Sequence, residues 1–477
     1  MNDAPVATVH FGRLERGSLI LGLSGAQTAA LGIAITVAVL AEYSAGTAGI
    51  IVTAPLWGIP AGAALIPVAG RPALSWLPVV GHWRLRRGLA QTHYLARLQQ
   101  MTQTDLALPG VPGRLTVMEG PGLGAALIHD GRTSTVTAML SVSGNGFVLA
   151  DHAIQERRVA GWGRLLAGLC QQPSVLRLQV LERCLPGGGT SMHRWWAEHG
   201  LAAVPWAARV LADLVADAKE ASDRHECFLA MAIRTPSSSR RATSASSVAV
   251  IERQLDAVAE AARAADLDVH GWVTRRRLVS VLRDAYDLQG AAGFDSGGPA
   301  EDSSPLLAGP MAVDEDWASI RTDSAHHAVY WVQEWPRSEV HAGFLQPLLL
   351  APGARRALSV IAEPLPPGKA LRDIRRAKVE HAADAGQRAR IGQIEDESTR
   401  AEAADLVRRE QELVAGHGDL RFVGLLTVSA SSAGELDAAC AATEAAAAQA
   451  MCELRKLVGQ QGQAFAAGAL PLARGVT

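Results

Sequence analysis

Lysine is nearly missing from this chain of 477 residues, with only Lys219, Lys369, Lys378 and Lys456 among its 45 basic side chains. The formal net charge is -2, so no global excess of positive charge points to nucleic acid. Cysteine is also sparse. Cys170, Cys184, Cys227, Cys440 and Cys452 are odd in number and widely spaced, with no C-x-x-C pair to hold zinc or exchange disulfides. This pattern fits reduced, buried thiols on the cytosolic side. The phosphate-binding sequence G-x-x-x-x-G-K-[ST] does not occur, which removes the backbone cradle, the lysine and the magnesium-binding hydroxyl of a P-loop. There is no G-x-S-x-G, H-E-x-x-H or S-x-x-K either, so the common hydrolase routes lack a nucleophile or base in context.

Long apolar runs, by contrast, are present at the N-terminus. Leu19 to Leu40 carries no charge and matches the ~20 residues a helix needs to cross the hydrocarbon core. Glu42, Tyr43 and Ser44 interrupt it, and a second uncharged run extends from Ala45 to Gly70. Pro55, Pro60 and Pro67 in that run suit a membrane helix better than a soluble one. The expectation is a two-helix transmembrane hairpin over 19–70 behind a cytoplasmic N-terminus, 1–18, with small residues such as Gly25, Ala29, Gly32, Gly58 and Gly62 letting the backbones approach. Arg13 and Arg16 precede the first span and Arg71, Arg84, Arg86 and Arg87 follow the second, while the connection holds only Glu42. The basic flanks therefore place both ends in the cytoplasm, making a multi-pass protein of the cell membrane.

The juxtamembrane segment 71–106 contains "RPALSWLPVVGHWRLRRGLAQ". Trp76 and Trp83 lie seven residues apart, on one helical face, beside Arg84, Arg86 and Arg87. These five residues are candidates for the headgroup zone, with indoles in the interface and guanidinium groups on anionic lipid. A helix packed on the cytoplasmic body is the alternative.

From about Ala107 the pattern becomes mixed strand and helix, which predicts an α+β body. Residues 107–289 read as a first α+β domain with a hairpin turning at Asp130-Gly131. Residues 290–305, "GAAGFDSGGPAEDSSP", read as a linker. Residues 306–477 read as a second region with a long charged helical arm at 367–416 and a last helix from Gly434 to about Leu457. "EGPGLGAALI" has glycine spacing reminiscent of a phosphate loop, but a strand follows it, so a hairpin turn is expected. Asp323, His326 and His327 hint at a metal, yet adjacent strand residues point to opposite faces. Trp195-Trp196, Trp331, Trp335 and Phe344 are candidate partner contacts, with buried aromatic packing as the plainer reading. No catalytic, cofactor or metal residue emerges, and no nucleic-acid site.

Two stretches carry a family resemblance. The double apolar run followed by "GRPALSWLPVVGHWRLRRG" resembles the PrgI-type small inner-membrane proteins of Gram-positive conjugation systems. The order "YWVQEWPRSEVHAGFLQPLLLAPGARRALSVIAEPLPPGKALRDIRRAKVE", a charged helix, then "LRFVGLLTVSASSAGELDAACAATEAAAAQAM" resembles the N-terminal, non-ATPase domain of the CagE/TrbE/VirB family of type IV secretion ATPases. The likeness lies in apolar and aromatic patterns rather than catalytic signatures. It implies a membrane-anchored, non-enzymatic platform in an actinobacterial conjugation-like apparatus, oligomeric in its assembly, whose partners are a separate P-loop ATPase, polytopic membrane subunits and lipid. A type VII secretion component of the EccE type and a membrane-tethered enzyme are the alternatives.

Overall fold

The computed structural model describes residues 8–9, 24–68, 70–97, 99, 101–144, 146–186, 196–200, 206–221, 223–235, 245–288, 304–336, 338–351, 353–390 and 397–475. The expected linker falls almost wholly outside them, as do the start of the first apolar run and Trp195. The chain forms two compact units, one made of residues 13–92 and the other of residues 1–12 with 93–477.

In the smaller unit, α1 (Gly25–Val52) starts at a capping box: the Ser24 hydroxyl accepts from Gln27 N–H, and the Gln27 side chain accepts from Ser24 N–H. Ala45 and Gly46 leave helical geometry, Gly46 at φ +60, a region that costs a glycine nothing. After Thr53 the chain continues as α2 (Ala54–Leu65). The Gln27 side chain donates to the Ala64 carbonyl at 2.7 Å, which requires the chain to reverse between them. The buried residues of this pair are all small: Ala34, Ala41, Gly49 and Ala64. A side chain at Gly49 would run into the Ala41 carbonyl, so close backbone approach does operate here, though at other positions than those expected. α2 stops at Leu65, short of the expected end at Gly70, because Pro67–Val68 (β2) turns back to pair with Arg71–Pro72 (β3). α3 (Trp76–Gly88) follows.

The larger unit is built around one antiparallel sheet. Its first half runs β6 (Leu115–Gly120), β7 (Ala125–Asp130), β8 (Thr135–Ser143), α4 (His152–Cys170), β9 (Val175–Leu185), α5 (Ala207–Ala221), β10 (Arg224–Arg234), α6 (Ala245–Ala264), β11 (Asp268–Trp272) and α7 (Arg275–Tyr286). The second runs β12 (Ala312–Glu315), β13 (Ile320–Arg321), β14 (His326–Glu334), β15 (Val340–His341), α8 (Gln346–Leu349), β16 (Arg355–Leu365), α9 (Pro367–Arg390), α10 (Glu397–Val414), β17 (Asp419–Ala430), α11 (Ala433–Gln449), β18 (Glu453–Lys456) and α12 (Gln461–Gly468). Two short strands complete the sheet, β4 (His93–Leu95) beside β12 and β5 (Asp105–Leu106) beside β6.

The two halves have the same topology. Their sheet orders are β11-β8-β10-β9 and β18-β14-β17-β16, each a split β-α-β arrangement whose third strand inserts between the first and second. Each half also opens with a three-strand meander, β6-β7-β8 and β12-β13-β14. The halves meet where β9 pairs antiparallel with β16, two strands of 11 residues each, with Val180 opposite Val360 at the midpoint. Antiparallel pairing of equivalent strands creates a local two-fold axis through that point. The repeat of topology relates residues 115–286 to residues 312–468.

Alternation along the strands sorts side chains onto two faces. On one, α4 and α6 cover the first half through Leu165, Leu169, Ile251 and Leu255, while α11 covers the second through Leu436, Cys440 and Ala447. On the other, α7, α12 and the segment after it bury Leu278, Leu282, Tyr286, Phe465, Leu470 and Leu472 in one continuous core. The mixed helix and strand composition agrees with the α+β reading.

The charged stretch from Pro367 holds two helices, α9 and α10, paired through Lys378 with Glu410 and His381 with Glu402 at 3.9 Å. It sits between β16 and β17, where the first half carries α5 between β9 and β10. The last helix ends at Gln449 rather than near Leu457, because Met451 turns to φ +55 and Glu453–Lys456 pairs with β14. The hairpin at Asp130 has a four-residue connection, with Asp130 opposite Thr135.

Candidate functional site

The membrane-interface candidates all lie on α3, but not on one face. Trp83 is buried, at 6% exposure, which withdraws its indole from the interface role expected of it. Trp76 is half-buried, and its ring N–H donates to the Val68 carbonyl at 2.9 Å. Arg84 and Arg87 are exposed and Arg86 is half-buried. The helix turns the Trp83 indole inward and leaves Leu77, Leu85 and Leu89 outside.

The partner-contact candidates divide between the two faces of the sheet. Trp331 lies opposite Leu425 and packs beside Val423 and Leu457, with the Arg455 guanidinium 4.6 Å over its ring. Trp335 follows the end of β14, past the irregularity at Val332/Glu334, and packs with the Tyr330 and Leu426 side. The two tryptophans therefore do not form a pair. Instead Trp335 meets Phe344 edge-on at 6.4 Å and Phe422 at 5.8 Å. Gly424 makes this possible, since a Cβ there would lie 2.6 Å from the Trp335 ring. Phe422 is 40% exposed, so the aromatic group reaches the surface at the base of α9 and α10. Ion pairs of Arg409 with Asp419 (3.1 Å) and Arg421 with Asp373 (3.0 Å) fix that base to β17. Phe422 and Gly424 were missed in the sequence, where their signal is a glycine two residues beyond an aromatic inside a strand.

Several groups that could carry chemistry are engaged in structure. His327 is fully buried, with Nε2 2.9 Å from the Thr322 hydroxyl and Nδ1 2.8 Å from the Ser429 hydroxyl. Asp323 accepts from the Met311 and Ala312 N–H groups and pairs with Arg283 at 2.8 Å. Asp323 and His327, two of the three residues that hinted at a metal, are thus directed elsewhere. Burial pushes the Cys227 thiol up, and the Glu182 carboxylate it bonds to adds to this, so the thiol stays protonated at neutral pH. The Gly-rich turn at Gly120–Gly124 joins β6 to β7, and its Gly122 and Leu123 N–H groups donate to Glu252 at 2.8 and 3.1 Å. An internal carboxylate occupies the position where a phosphate loop would hold its ligand.

No family model matches the sequence, and no curated protein matches it.

His327 gives a prediction for stability. Burial, then the positive charges of Arg355 and His326, push its pKa from 6.5 down to about 3. In the unfolded chain the imidazole takes a proton below pH 6.5, while in the folded chain it stays neutral. Stability from this group is therefore complete above pH 6.5 and is lost progressively as pH falls toward 3, by up to about 1.4 kcal/mol per unit. Denaturant titration of the solubilised chain at pH 7 and 5 should show the fall, and His327→Gln should reduce it.

Proposed function

We propose that this protein is a membrane-anchored structural platform of a conjugation-like secretion apparatus, whose body recruits a separate P-loop ATPase. The observation that carries the anchor is where the smaller unit joins the larger one. Before it, Thr8–Val9 (β1) pairs with Val340–His341; after it, His93–Leu95 pairs with Ala312–Asp314. Both attachments are strands of the same compact unit, so both lie on the same side of any membrane.

Among the described residues one helix, α1, is long and apolar enough to cross, and almost none of its apolar stretch is buried. If it crosses once, the chain has to return before His93. The break at Ala45–Gly46 divides the helical pair into Gly25–Ser44, 20 residues, and Thr47–Leu65, 19 residues, each close to the ~20 needed for one crossing. The Gln27 to Ala64 bond supports the same path. Arginine on both outer flanks, with only the acidic Glu42 near the break between the two segments, favours a cytoplasmic body.

The aromatic group Trp335, Phe344 and Phe422, beside the charged pair α9 and α10, is the surface we assign to the ATPase, since aromatic anchors with a charged rim are the usual make-up of a contact centre. Topology reporters test the anchor: a reporter at Thr477 is expected on the cytoplasmic side and one inserted after Gly46 on the outer side. A cytoplasmic signal from both positions, or an outer signal at Thr477, would remove the hairpin.

A further inference from the structure

We infer that α3 lies in the plane of the cytoplasmic leaflet and presents a leucine face, flanked by arginines, to anionic lipid headgroups. This deepens the membrane reading above and rests on it. Leu77, Gly81, Leu85 and Leu89 recur every four residues along and just beyond α3, which places them in one slowly turning stripe. The three leucines are 62%, 63% and 59% exposed, whereas Trp83, on the opposite side, is buried. An aliphatic stripe that open to water is a binding face.

Its surroundings select lipid as the occupant. Trp76 follows the end of α2 by 11 residues, and those residues include the β2–β3 turn, so the helix begins close to where the second crossing would leave the bilayer. Between Glu42 and Asp105 the sequence has no acidic residue, while Arg71, Arg84, Arg86, Arg87 and Arg97 fall there. Arg84 and Arg87 are exposed on α3 itself. An aliphatic face with cations and no anions suits the boundary between acyl chains and anionic headgroups. Trp83 is buried and Trp76 half-buried, so the leucines present the larger apolar surface to the lipid.

The test uses the full chain reconstituted in phosphatidylcholine vesicles with and without phosphatidylglycerol. Spin labels at Leu77→Cys, Leu85→Cys and, in α1, Ile35→Cys are read by their accessibility to oxygen and to a nickel chelate, with the native chain carried through labelling as background. At Leu77 and Leu85 oxygen is expected to exceed the chelate, with the excess larger when phosphatidylglycerol is present. Arg84→Gln with Arg87→Gln is expected to abolish that lipid dependence while leaving the Ile35 reading unchanged. If Ile35 reads as lipid but Leu77 and Leu85 read as water, the inference is overturned and a protein groove becomes the occupant of the stripe, with the anchor intact. If Ile35 reads as water, the anchor itself falls. A leucine reading that is deep but indifferent to phosphatidylglycerol overturns the role given to the arginines.

Discussion

Asp284→Ala is expected to lower the unfolding free energy of the solubilised full chain by about 3–5 kcal/mol, the cost of stripping a buried ion network of one partner. Asp284, on α7, accepts from Arg183 on β9 and from Arg355 on β16, the two strands that join the halves. The side chains of Arg183, Asp284 and Arg355 are only 4%, 13% and 16% exposed. Arg183 also reaches Glu226 on β10 at 3.1 Å, and Arg277 reaches the other oxygen of Glu226 at 2.5 Å. Without Asp284, Arg355 keeps its bond to the carbonyl of residue 284 but has no carboxylate there, and Arg183 keeps only Glu226. Two guanidinium groups are then crowded at the junction with too little negative charge. Replacing the charges together, Asp284→Leu with Arg355→Met, is expected to recover part of the loss, since it removes the orphaned cation as well. A single substitution that costs less than about 1 kcal/mol, the range of exposed pairs, would show that the junction does not depend on this network.

The second large effect is expected at Gln179, one residue from the two-fold axis. Its amide nitrogen donates to the Ser359 hydroxyl (2.7 Å) and to the Leu470 (2.9 Å) and Ala467 (3.2 Å) carbonyls, and its oxygen accepts from Ala473 N–H at 2.6 Å. One buried side chain thus ties both halves to the segment that follows α12. Gln179→Leu keeps the bulk and removes every one of these bonds. Each buried group left unpaired costs about 1–3 kcal/mol, so the total is expected at about 3–5 kcal/mol. The segment is held further on by Arg474 with Asp130. The expected signature is therefore local as well as global: amide exchange at 469–473 should rise more than at β8 or β14. Uniform exchange across these regions would mean that the segment is held by its apolar contacts alone.

Much of the fold was legible in the sequence where one periodicity dominated. In β9, β14, β16, α4 and α7 the apolar residues alternate or repeat at helical spacing, which marks the element in the sequence. The duplication was not legible, since the halves share strand order and length rather than residues; Gln179 in one corresponds in place to Ser359 in the other. The end of α11 was misread because alanine supports a helix anywhere, whereas Glu453–Lys456 gains a strand partner only from β14, over 100 residues earlier. At the surface, the tryptophans were visible but their environments were not. Whether Trp83 faces in or out depends on neighbours that no spacing on α3 specifies, and the Trp335 cluster depends on Gly424 and Phe422 arriving from another strand.

We propose that the chain works at the membrane by holding a separate motor. The most direct measurement is to tag Thr477, solubilise membranes gently, purify the tagged chain and identify what comes with it in stoichiometric amount. The account predicts recovery from the membrane fraction together with a separate P-loop ATPase, and loss of that ATPase when Trp335 and Phe422 are both replaced by alanine. Recovery from membranes alone, or an ATPase retained by the double variant as well as by the native chain, would contradict it.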